Sequence, residues 1–208
     1  MIFISDLEPE FKKPNIFFYD NKKLINEGFY GMHSRITITA WDKTFYYLKN
    51  NNTYDYFWII EDDCYLNKDR FCEFNNFSNN VSDAILFGWH KQYPDSWAHW
   101  GKNNNYFDKK KLCASINQIV RLSSVLLNKI LESRDEINRF LFHELLIPSL
   151  IKKFNLKKTI VVNKHIHVCA MKVNSLIHKK YGNIDKKIIL DDLNQNYIIV
   201  HPFKLWYD

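Results

Sequence analysis

Apolar residues fall along this chain in two patterns. Short unbroken blocks of aromatic and β-branched residues alternate with longer stretches where apolar positions recur every three or four, the signatures of strands and of amphipathic helices. Residues 1–4 predict a short edge strand, and Ile16-Phe17-Phe18-Tyr19 predicts a first sheet strand ending at Asp20. The polar stretch 21–27, with Gly28 and Gly31 around Phe29 and Tyr30, predicts a loop. Ile38, Trp41, Phe45 and Leu48 fall at helical spacing within 37–49, and Asn50-Asn51-Asn52 ends that helix. A short helix over 71–77 and a buried strand within 81–89 follow, then an irregular loop over 89–101 broken by Pro94 and Gly101. The stretch 113–121 predicts a strand or bend. Ser123 or Ser124 then caps a helix through Val125, Leu126, Ile130 and Leu131. A further helix spans 140–154 and is carried past Pro148. Strands are predicted at 159–162 and 197–204, with 166–171 extending the former or starting another, and 184–190 is ambiguous. Strands and helices in alternation predict an α/β chain with a mostly parallel central sheet flanked by helices. With no repeats and no convincing boundary, residues 1–208 are expected to form a single domain.

One block differs from the rest in how it ends. Within the stretch 54–66, the apolar and aromatic run from Tyr54 to Ile60 reads as the central strand, buried on both faces, and it stops at three consecutive acids, Glu61-Asp62-Asp63. In open α/β sheets, ligands sit outside the carboxyl ends of the strands. Adjacent carboxylates repel one another, and a counter-cation relieves them. Carboxylate oxygens suit Mg²⁺ or Mn²⁺, which keep coordination positions for substrate phosphates. The competing explanation is a strand that runs into a solvated acidic turn.

Composition narrows the picture modestly. Hydrophobic residues at 46% and charged residues at 25% are those of an ordinary globular protein. An aromatic share of 16% calls for a thick core or a groove lined with rings. The net charge of +6 favours an anionic partner. The lysines are scattered in pairs and triplets without a basic stripe, which argues against nucleic acid as that partner. Four cysteines without Cys-x-x-Cys pairing fit buried thiols in a reducing compartment. No apolar run approaches the ~20 residues that span a bilayer, so no membrane insertion is expected. The first residues lack the build of a signal peptide, and a cytoplasmic protein is the expectation.

Several words, in order, carry a resemblance. Trp41-Asp42-Lys43, Phe45-Tyr46-Tyr47, the block 54–63, Ser96-Trp97-Ala98-His99-Trp100, Arg121-Leu122-Ser123, Phe142-His143-Glu144 and His201-Pro202-Phe203-Lys204 resemble a glycosyltransferase of the GT-A (Rossmann-like) fold. They are similar to those of small virus- or protist-encoded enzymes. The resemblance spans residues 15–204, and for a virus-encoded protein the compartment would be the host cytoplasm. It implies a metal-dependent enzyme moving a sugar from a nucleotide-diphosphate donor to a glycan or glycoprotein acceptor.

The same resemblance assigns roles. Glu61 and Asp63 hold the first and third places of a D-x-D-type motif and are the acidic candidates for the metal; Asp63 would ligate Mn²⁺ or Mg²⁺ directly, and Glu61 or Asp62 would meet the ribose or a metal-bound water. His201 matches a late histidine ligand, and Lys204 would face the diphosphate. Tyr19, Asp20 and Arg35 would meet the nucleotide. Trp97, His99 and Trp100 would form a sugar platform, although tryptophans in such a loop also serve as anchors to the core. Arg121 would pair with a phosphate or carboxylate, or brace the acidic tip of the central strand. Glu144, in an otherwise apolar stretch, is the candidate base, with His143 as substitute. A single displacement with such a base would invert the anomeric centre. Two further readings compete: a catalytically silent GT-A-like module that binds glycans or a partner, and a metal-dependent nuclease.

Overall fold

A computed structural model of the chain describes residues 2–5, 15–30, 39–77, 81–89, 106–168 and 186–203. These form a mixed α/β structure. In chain order the elements are β1 (Phe3–Ser5), β2 (Ile16–Phe18), α1 (Asn21–Asn26), α2 (Ala40–Asn50), β3 (Tyr56–Ile60), β4 (Tyr65–Leu66), α3 (Lys68–Phe77) and β5 (Ala84–Leu86). A turn of 3₁₀ helix (Lys109–Lys111) precedes β6 (Ile119–Ser123), α4 (Ser124–Ile137), α5 (His143–Lys153), β7 (Lys158–Ile160), β8 (Ile166–Val168), α6 (Lys186–Asn196) and β9 (Ile199–His201). The chain gathers into two compact units, each made of three stretches. One comprises 1–55, 90–114 and 123–156; the other comprises 56–89, 115–122 and 157–208.

The first unit is chiefly helical. β1 and β2 pair in parallel, Ile4 opposite Phe17. The stretch 21–27, expected as loop, forms α1, because the Asp20 carboxylate accepts a hydrogen bond from the Lys23 amide at 3.1 Å and caps it. Gly28 then turns the chain with φ of +73°. α2 starts later than its apolar spacing predicts. Thr39 and Asp42 form a reciprocal capping box, the Asp42 carboxylate accepting from the Thr39 amide at 2.7 Å. α4 is capped by Ser123, whose hydroxyl accepts from the Leu126 amide at 3.1 Å. α5 begins at His143 rather than at Phe140, and Pro148 lies inside it. Phe29, Trp41, Phe45, Phe140, Leu126, Leu127, Leu145 and Leu146 are buried here. Each contributes about 1.5–3 kcal/mol by leaving water. Phe29 meets Tyr46 edge-on at 5.0 Å and Phe140 at 5.5 Å, so part of the aromatic share is core.

The second unit holds two sheets. In the larger, the strand order is β3-β6-β5-β7. The Glu61 amide donates to the Gln118 carbonyl and the Ser124 amide to the Asp55 carbonyl, so β6 runs antiparallel to β3. β5 is also antiparallel to β6 and parallel to β7. The mostly parallel sheet expected from the sequence is therefore mixed: β6, inserted in the reverse sense, converts two of three pairings to antiparallel. β3, β5 and β7 still share one direction. β3 is not central either. It ends the order of described strands, with Phe57 and Ile59 buried, Trp58 and Ile60 half-buried and Tyr56 exposed. The run is unbroken in sequence but alternates in burial, and one of its three rings, Trp58, packs on a helix. Trp58 packs against Phe71 and Phe74 of α3.

The smaller sheet has the order β4-β9-β8. β4 is antiparallel to β9, with Tyr65 opposite Val200, and β8 is parallel to β9, with Val168 opposite His201. α6 makes residues 186–190 of the ambiguous stretch helical and packs Ile189 and Leu193 on Val200, joined by Tyr65, Tyr197 and Phe203. Alternation along β9 then sends the neighbouring His201 to the opposite face.

Candidate metal centre

The chain leaves β3 at Ile60 and turns over residues 61–64, the Cys64 amide donating to the Glu61 carbonyl at 3.2 Å. Two backbone bonds hold this turn. The Glu61 amide donates to the Gln118 carbonyl at 2.9 Å, and the Phe203 amide donates to the Asp63 carbonyl at 2.7 Å. The second bond and the β4–β9 register bring His201 beside the acids across 138 residues of sequence (201 minus 63).

His201 Nε2 lies 3.1 Å from Asp63 Oδ1 and 3.8 Å from Glu61 Oε2. One ligand atom from each of the three residues falls within 4.8 Å of the others. Donor atoms at about 2.1 Å from one ion are about 3.0 Å apart when adjacent and about 4.2 Å when opposite, and the two His201 approaches, 3.1 and 3.8 Å, fall in that range. The donor set, one imidazole nitrogen and two carboxylates, fits Mn²⁺ better than Mg²⁺, which prefers oxygen alone. The centre is graded in exposure: the His201 side chain is 5% exposed, Asp63 15% and Glu61 31%. Asp62 between them is exposed. The same 3.1 Å approach also describes a buried histidine bonded to a carboxylate, and metal titration separates the two.

Cys64 borders the centre. Its Sγ lies 3.7 Å from the Gln118 carbonyl, and burial, with Asp63 and Glu61 adding repulsion, pushes its thiol well above the ordinary range. The sequence reading did not single out Gln118 or Cys64. Gln118 acts at this turn through a backbone carbonyl, for which side-chain identity carries no signal.

The other candidates divide. Glu144 and His143 are buried in the first turn of α5, in the other unit, and the His143 ring stacks on Trp41 at 4.2 Å and 8°. Asp20 caps α1. Tyr19 meets Tyr46 edge-on at 4.9 Å, and burial raises its phenol pKa. Arg121 sits opposite Trp58 by the β3–β6 register, with its guanidinium 4.4 Å from the Tyr56 ring centre and donating to the Ser82 carbonyl at 3.2 Å. Arg35, Trp97, His99, Trp100 and Lys204 lie outside the described residues. Among the described residues no helix is long and apolar enough to cross a membrane.

No known protein family, curated protein or solved structure matches this chain.

Proposed function

We propose that this chain is a divalent-metal-dependent glycosyltransferase of the GT-A type, moving a sugar from a nucleotide-diphosphate donor to a glycan or glycoprotein acceptor. The observation that carries the reading is the convergence of Glu61, Asp63 and His201, two acids at the end of a strand and a histidine from the last described strand. These are the positions to which the sequence resemblance assigns metal ligands. Further support comes from direction: β3, β5 and β7 run the same way, and Glu61 lies past the carboxyl end of β3, where α/β sheets take ligands.

A divalent cation held there would neutralise the charge that develops on a departing diphosphate. The protein's own part is to hold the ligands. The Gln118 and Asp63 carbonyl bonds fix the turn, and the buried His201 is anchored by the β9 ladder. Exposed Asp62 is available to a donor hydroxyl. Glu144 is the proposed base for the acceptor hydroxyl. Glu144→Gln keeps the shape and removes the basicity, so donor binding should persist while turnover falls about 10²–10⁴-fold; turnover near that of wild type moves the base elsewhere.

The test of the reading is a thermal-shift panel of nucleotide diphosphates and their sugars, with and without Mn²⁺, on wild type and Asp63→Ala. A ligand that binds only the folded state raises the melting temperature. A Mn²⁺-dependent shift with one nucleotide, lost in Asp63→Ala, is the expected result. No shift with any donor overturns it and leaves the silent glycan- or partner-binding module.

A further inference from the structure

We propose a second ligand site, for a small molecule bearing a carboxylate or phosphate group, in the cleft lined by Tyr56, Trp58, Asn75, Asn76 and Arg121. The cleft has a volume of about 430 Å³, within the range of small-molecule sites. It is distinct from the metal centre. Tyr56 and Trp58 share one face of β3, whereas alternation places Glu61 with Phe57 and Ile59 on the other. Tyr56 also lies five residues, about 16 Å of extended strand, before Glu61.

The lining selects the chemistry. Arg121 is 5% exposed, so a guanidinium has been drawn almost wholly out of water at the wall of the cleft. Its holders include the Ser82 carbonyl and the face of Tyr56, which supply dipole and quadrupole. Burial lowers its pKa. The planar guanidinium fork matches the oxygens of a carboxylate or phosphate. The Trp58 indole donates to Asn75 Oδ1 at 2.8 Å, which fixes that amide and makes Nδ2 its other end, a donor. The Trp58 ring is packed among Phe71, Phe74 and Phe87. Core packing thus takes up part of the ring, and the ligand is recognised chiefly by donors and charge.

The site needs no metal, so its test is run in EDTA, which keeps phosphate from binding through an ion at Asp63. Calorimetric titrations of inorganic phosphate and of succinate are carried out on wild type, Arg121→Gln, Asn76→Asp and Asp63→Ala. Saturable binding of one probe is expected, and which probe binds decides between phosphate and carboxylate. Asp63→Ala should bind as wild type does. Arg121→Gln should lose binding, and Asn76→Asp, which places a carboxylate on an exposed part of the wall, should weaken it about tenfold or more. Because Asn76 is exposed, that variant is informative even where Arg121→Gln fails to fold. No binding of either probe by wild type, or unchanged affinity in Asn76→Asp, overturns the proposal.

Discussion

At the scale of single residues, the chain concentrates chemistry where backbone bonds leave little choice of geometry. The His201 imidazole is buried, reaches Asp63 at 3.1 Å, and is fixed by a strand paired on both sides. If it ligates a metal, His201→Ala should weaken Mn²⁺ binding by more than about tenfold while leaving circular dichroism unchanged. Mn²⁺ affinity equal to wild type would reduce the pair to a structural hydrogen bond. The acids were legible in the sequence because three in a row at the end of an apolar block are conspicuous. His201 was legible only through a resemblance, since one histidine before a proline has no chemical signature of its own. The cysteines make a second, simpler prediction. Cys72 is exposed, Cys113 is buried, and the Cys64 thiol is held protonated by burial and its acidic neighbours. At mildly alkaline pH iodoacetamide should therefore label Cys72 first among these three, because only the thiolate attacks. Mass mapping that finds Cys64 labelled first would contradict the packing described around it.

At the scale of elements, local signals decided starts and stops more reliably than apolar spacing did. Spacing predicted a helix from residue 37, but the Thr39–Asp42 capping box begins α2 at Ala40. A polar stretch read as loop became α1 because Asp20 supplies an N-cap and Leu24 a buried anchor. The end of α1 depends on Gly28. Its φ of +73° is strained for any residue with a Cβ, and an added Cβ would stand 2.7 Å from Asn138 Oδ1. Gly28→Ala should therefore destabilise the fold by about 1–2 kcal/mol from backbone strain alone, with the contact adding to it. Urea unfolding would measure this, and a variant as stable as wild type would show that the turn can relax. The mixed sheet belongs to this scale too. Nothing in Ile119-Val120-Arg121-Leu122 says that β6 should run against its neighbours, because strand direction is set by the connections and not by the strand.

At the scale of the molecule, the two units are each assembled from three stretches, so no linker or composition shift marks them. Glu61, Asp63 and His201 belong to one unit but are far apart in the chain, so a metal bound by them should register as global stability. Mn²⁺ at a hundred times its dissociation constant would add about 2.7 kcal/mol to the unit that binds it. The melting temperature should rise with Mn²⁺, fall back with EDTA, and respond to neither in Asp63→Ala. The stabilisation should also shrink as pH falls, because protons compete for the same imidazole and carboxylates. A melting temperature indifferent to Mn²⁺ in wild type would argue against metal at this centre.

By itself the sequence determined the α/β alternation, most of the helices, the acidic end of β3 and the shortlist of residues able to do chemistry. Those follow from periodicity, capping and side-chain type, which act over a few residues. Tertiary structure alone decided the reverse sense of β6, the alternating burial of β3, and the place of Arg121 beside Tyr56. It also decided the meeting of Glu61 and Asp63 with His201. Each of these depends on strand pairing between segments distant in the chain, where the partner, and not the local pattern, sets which face a side chain takes.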